Sequence, residues 1–118
     1  MKIDSAFPET IRAIDQPASG YDLYSTIDAL KRFNGDFTLQ TLFVRGHHNG
    51  AVVDNTTSEE IEAWLCLVKE LKPKEIMIYT IDRKTPAKAL EKVPVSELEA
   101  IANGVRSLKM NIKINVAG

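Results

Sequence analysis

Apolar residues recur along this chain with two periods in alternation, and the alternation itself predicts the architecture. Lys2-Ile3-Asp4-Ser5 reads as the tail of a strand. Phe7-Pro8-Glu9 opens a short helix in which Pro8 suits the first turn, since its missing N–H costs nothing there, and Ile11 and Ile14 mark the inward side. Gln16 to Gly20 is a turn-rich break. From Asp22, a fitting N-cap, Leu23, Ile27, Leu30 and Phe33 fall at helical spacing, and Asn34-Gly35 stops the helix with Gly35 as the left-handed residue.

A strand is expected over Phe37 to Val44, followed by a long polar loop through Gly50, Val53 and Asp54. Thr57 with Glu60 forms a capping box, and Ile61, Trp64, Leu65, Val68 and Leu71 supply the apolar stripe of a helix that Lys72-Pro73-Lys74 ends. Glu75 to Ile81 is almost continuously apolar, the pattern of a parallel strand covered on both faces, and it runs into the polar cluster Asp82 to Pro86. A second capping box, Ser96 with Glu99, opens a helix with Leu98, Ile101, Ala102, Val105 and Leu108 facing in. Gly104 weakens it by about 1 kcal/mol relative to Ala unless close packing demands it. Met110 to Val116 is the last strand.

Strands alternating with helices imply right-handed crossovers and a parallel α/β sheet. Every strand's carboxyl end then lies on one rim, so Asp4-Ser5, Arg45-Gly46 and Asp82-Arg83 are expected to gather there, as the polar tips of a small-molecule site.

Composition narrows the function classes. At 118 residues the chain is a single domain, and 15 basic against 16 acidic residues leave a charge of -1, without the basic footprint of a nucleic-acid or membrane-surface binder. The longest apolar run, residues 63 to 68, is far below the roughly 20 residues of a membrane helix. No signal-peptide pattern follows Met1, and a cytoplasmic setting is expected. The single Cys66 excludes an internal disulfide and reads as a small buried hydrophobe in its helix. His47 and His48 are adjacent, so their side chains diverge, and no metal site is expected. Asn55-Thr56-Thr57 matches a glycosylation acceptor, but is read as a loop leading to a helix cap.

Against this background KIDSA, QTLFVRG-x-x-NG, VDNTT, IYTIDR-x-TPA and the closing INVAG, in this order, resemble the later half of radical S-adenosylmethionine (radical SAM) enzymes, nearest the iron-sulfur oxidoreductase group related to the wyosine-synthesis enzymes. The resemblance implies a partial, half TIM barrel of about four strands with helices on the outer face. In such enzymes the first half carries a CxxxCxxC loop that binds a [4Fe-4S] cluster, and the cluster cleaves S-adenosylmethionine to a 5′-deoxyadenosyl radical. This chain lacks those cysteines. It is therefore expected to be inactive alone and to be the carboxyl half of a longer enzyme, with its amino half as partner and its strands the fourth, fifth, sixth and one following.

By the same resemblance Lys2, Asp4 and Ser5 fall near the ribose and methionine moieties of the cofactor. Gln40, Thr41, Arg45 and Asn49 fall near adenosine or substrate, Arg45 as a carboxylate partner through its planar fork. Tyr79, Thr80 and Ile81 would offer backbone to the adenine edge, and Asp82 and Arg83 would face substrate. Plainer readings stand beside these: Asp4 and Ser5 as caps of the first helix, Arg45 as a solvated loop residue, Asp82 and Arg83 as a surface pair. Truncating a barrel uncovers its inner face, where positions among Ile3, Leu39, Ile76 and Ile78 would meet water, so self-association is expected. The alternative to the whole reading is a freestanding α/β small-molecule-binding module.

Overall fold

The computed structural model describes residues 1–15, 22–48, 51–81 and 89–117. Its elements in chain order are α1 (Pro8–Asp15), α2 (Leu23–Lys31), β1 (Thr38–Leu42), β2 (Val44–His48), β3 (Ala51–Asp54), α3 (Ser58–Leu71), β4 (Glu75–Tyr79), β5 (Ala89–Lys92), α4 (Val95–Arg106) and β6 (Lys113–Ala117). The expected parallel sheet is present as β1-β4-β6, with both strand pairs parallel. Lys2 forms a parallel bridge to Gln40 and thereby places the amino-terminal segment alongside β1. Successive parallel strands are neighbours, as short α-helical crossovers favour.

Local chemistry explains most of the helix ends. Asp22 caps α2 by accepting from the Tyr24 N–H at 3.0 Å, and Gly35 (φ 85°) carries the chain out through a left-handed turn. Its carbonyl then accepts from the N–H groups of Phe37 and Lys74, both at 2.8 Å. Phe33 lies beyond the last turn of α2 and is 49% exposed, contrary to the inward position expected of it. In α3, Thr57 Oγ1 accepts from the Glu60 N–H, which is half of a capping box. The Glu60 carboxylate is taken elsewhere, accepting from Ser5 Oγ and Thr10 Oγ1, each at 2.7 Å. Helix α4 corrects the second capping box: it begins at Val95 behind Pro94, with no side-chain cap, and Ser96 lies inside it. Pro94 sets the start because a proline supplies a fixed φ where an N–H would have no partner.

The larger correction concerns residues 37 to 54. The single strand expected over Phe37 to Val44 is two strands belonging to different sheets, and the expected loop after it is a hairpin. Strand β2 pairs antiparallel with both β3 and β5, giving the order β3-β2-β5. The break falls at Phe43. Its N–H still continues the parallel ladder by donating to the Tyr79 carbonyl at 2.8 Å, while its own carbonyl accepts from Thr80 Oγ1 at 2.7 Å. Strand β5, Ala-Leu-Glu-Lys, has the composition of a helix, and pairing with β2 overrides that local preference.

One core fills the space between the parallel sheet and helices α2, α3 and α4. Leu39, Ile76 and Ile78 on the sheet meet Leu30, Trp64, Val68, Leu98, Ile101 and Val105 on the helices, and Phe43 packs edge-on to Trp64 with ring centroids 5.4 Å apart. Ile3, Leu39, Ile76 and Ile78 are all 0–1% exposed on this helix-covered side. They do not line the inner face on which water contact was expected, because side chains alternate along a strand and these four positions fall on the side that the helices cover. The same alternation shows that β4 is buried on one face and half-buried on the other, where both faces were expected to be covered. A smaller core of Ile14, Val44, Val53 and Leu90 joins α1 to the antiparallel sheet, with Leu42 and Ile81 at its border. It follows that the antiparallel sheet stands at the carboxyl ends of β1 and β4. Among the described residues no helix is long and apolar enough to cross a membrane.

Candidate functional site

In a parallel sheet the carboxyl rim collects strand ends whose carbonyls and N–H groups have no further ladder partners. Here the chain meets that demand with its own side chains. Asn55, at the foot of β3, is buried, and its Nδ2 donates to the carbonyls of Asp4 at 2.8 Å and Leu42 at 2.7 Å. Its Oδ1 accepts from the Val44 N–H at 3.0 Å. One amide thus joins the amino-terminal segment, the end of β1 and the start of β2. Since both amide hydrogens are engaged in a buried site, the glycosylation-acceptor pattern at Asn55 is a folding device. The sequence places Asn55 in a loop leading to a helix cap and does not show this role, because only the fold supplies the three partners.

Of the residues expected to bind cofactor, several are spent on the fold. Asp4 is buried, its Oδ1 accepting from the Leu42 N–H at 2.8 Å and its Oδ2 lying 2.8 Å from Lys2 Nζ. Ser5 Oγ accepts from the Phe7 N–H at 2.9 Å in a turn ahead of α1 and donates to Glu60; the helix begins only at Pro8, so Ser5 is committed to the fold without capping it, and Asp4 does not cap it either. Thr41 points to the helices: its Oγ1 accepts from Trp64 Nε1 at 3.0 Å and donates to the Ile3 carbonyl at 2.8 Å. Thr80 accepts from the Val93 N–H at 2.9 Å and donates to Phe43, fastening the chain after β5 to the end of β4. These hydroxyls have little capacity left for a ligand.

Arg45 is a β2 residue rather than a loop residue. Its guanidinium pairs with Glu97 on α4 at 2.5 Å, a hydrogen bond that raises its pKa further; burial opposes the rise, and the charges of Glu97, Asp54 and Glu91 add to it. Asn49, Asp82 and Arg83 lie outside the described residues. Of the polar tips expected on one rim, Asp4 lies beside the end of β1 through Leu42, Arg45 is drawn to Glu97 on α4, and Asp82-Arg83 is outside the described residues.

What remains is the sheet face opposite the helices. Strand register aligns Gln40, Met77 and Asn115 in one row across β1, β4 and β6, and the Lys2 bridge extends the row by one residue. Toward the carboxyl rim the next row holds Leu42, Tyr79 and Ala117. Toward the opposite edge Thr38, Glu75 and Lys113 close the face: Thr38 Oγ1 donates to Glu75 Oε1 at 3.1 Å, and Asn115 Nδ2 donates to Glu75 Oε2 at 2.8 Å. Gln40 is exposed, and Met77, Tyr79 and Asn115 are half-buried. Gln40 and Tyr79 are the expected site residues that this face retains. Met77 and Asn115 were missed, although the period of two in a strand would have found them once the covered face was known.

The donor set of this chain does not fit an iron-sulfur cluster. Its single cysteine, Cys66, is exposed on α3, among the helices rather than on the polar sheet face, and it is not the buried residue expected. It falls outside the buried positions Trp64, Leu67, Val68 and Leu71 of that helix. Among the described residues no three His, Cys, Asp or Glu side chains are placed to hold a metal ion.

No protein-family model matches the chain, and no curated protein matches it. Among solved structures, a radical SAM methyltransferase from Sphaerobacter thermophilus superposes on 98% of this chain with a TM-score of 0.73 at 13% sequence identity, and the chain covers 33% of that protein. At that identity the likeness is one of fold alone: this chain shares an α/β fold with about a third of that protein.

Proposed function

We propose that this chain forms one wall of the cofactor and substrate chamber of a radical SAM enzyme, as the carboxyl half of a partial TIM barrel of the iron-sulfur oxidoreductase group that its motifs resemble. The observation that carries the reading is the row Lys2, Gln40, Met77 and Asn115, a polar face set opposite three packed helices, in a fold shared with part of a radical SAM methyltransferase. A sheet with an apolar helix side and a polar other side is what a barrel wall around a ligand chamber requires. The chain's own residues would bind and orient: the Gln40 and Asn115 amides can meet polar edges of a ligand, Tyr79 and Met77 can cover an apolar surface, and the Lys2–Asp4 pair sets the charge at the amino-terminal end of the row. S-adenosylmethionine, when bound to a cluster held by the amino half, would supply the radical chemistry.

The test is the full-length gene product, reconstituted anaerobically with iron and sulfide. The expected result is cleavage of S-adenosylmethionine to 5′-deoxyadenosine, lowered at least tenfold by Gln40→Ala or Asn115→Ala, with cluster content and melting temperature retained. A gene product without CxxxCxxC, or one that never cleaves S-adenosylmethionine, overturns the reading. Self-association of this chain in isolation belongs to the same proposal, through its uncovered sheet face or the outer edge of β6, where Ile114 and Val116 are only half-buried. Light scattering that gives a monomer at every concentration removes that part.

A further inference from the structure

We draw no further inference here: the strongest candidate, the groove of about 370 Å³ between α2 and α3 lined by Tyr24, Ile27, Lys31, Cys66, Leu67 and Glu70, is a groove of mixed character beside one lone cysteine, and nothing in the structure shows what covers it.

Discussion

The side-chain amide of Asn55 donates to the backbone carbonyl of Asp4 at 2.8 Å, joining positions 51 residues apart. With its bonds to Leu42 and Val44, this amide closes the rim where the parallel sheet hands the chain to the antiparallel one. Asn55→Ala leaves two carbonyls and an N–H without their partner and is expected to cost about 3 kcal/mol, since each buried unsatisfied group costs roughly 1–3 kcal/mol. Asn55→Asp, which cannot donate to the carbonyls while ionised, should be no better. Urea unfolding checks both, and a loss below about 1 kcal/mol would show that the rim holds without the clip.

Trp64 and Thr41 should be energetically coupled. The indole N–H is buried and donates to Thr41, which passes the chain of bonds to the Ile3 carbonyl. Thr41→Val keeps the shape and removes both bonds, with an expected cost of about 2 kcal/mol. In a double-mutant cycle with Trp64→Phe, about 1 kcal/mol of that cost should disappear. Additive losses would mean that the indole finds another acceptor.

Two glycines should respond with opposite signs. Gly35 has φ 85°, and a Cβ there would stand 2.4 Å from the Lys72 carbonyl oxygen, so Gly35→Ala is expected to destabilise by about 2 kcal/mol or more. Gly104 sits inside α4, where a Cβ would meet Leu65 Cδ1 at 3.5 Å, an ordinary contact. The close packing considered from the sequence is therefore not required. Gly104→Ala should stabilise by about 0.5–1 kcal/mol through helix propensity alone. Thermal melts of the pair read both signs at once.

The exposed pair Asp36 and Lys74, 2.9 Å apart, predicts a small pH effect. The hydrogen bond from Lys74 lowers the Asp36 pKa below its ordinary 3.8, with the charge of Lys74 acting in the same direction. The Lys74 pKa is raised above 10.5 by the same bond. A lowered carboxyl pKa contributes stability above the unfolded value that is lost as pH falls through the folded one; a raised lysine pKa contributes stability below 10.5 that is lost as pH rises through the folded one. Carboxyl NMR titration should place Asp36 below 3.8 at low salt, and Lys74→Met should return it toward that value. An unmoved Asp36 in Lys74→Met would show that the pair does not persist in solution.

The parts of the fold legible beforehand are those whose signals are local. Helix α3 announces itself through Thr57 and its apolar stripe, α2 through Asp22, and β4 through its run of aliphatic residues, and their alternation sufficed for the parallel sheet. The hairpin of β2 and β3 and the short β5 were missed because their stability comes from pairing partners distant in sequence, against the helical leaning of Ala-Leu-Glu-Lys. The site was less legible than the fold. Ser5, Thr41 and Thr80 are as polar in sequence as Gln40, yet their hydroxyls are consumed by backbone groups and the Trp64 indole, while Gln40 stays on the open face.

By itself, then, the amino-acid sequence settled that helices α2, α3 and α4 alternate with the parallel strands β1, β4 and β6, because periodicity and capping act over a few residues and need no partner beyond them. Only the tertiary structure decided which polar side chains are spent and which are presented. A hydroxyl or amide is committed by whatever unsatisfied group the fold brings within about 3 Å of it, and that proximity is a property of the assembled sheet.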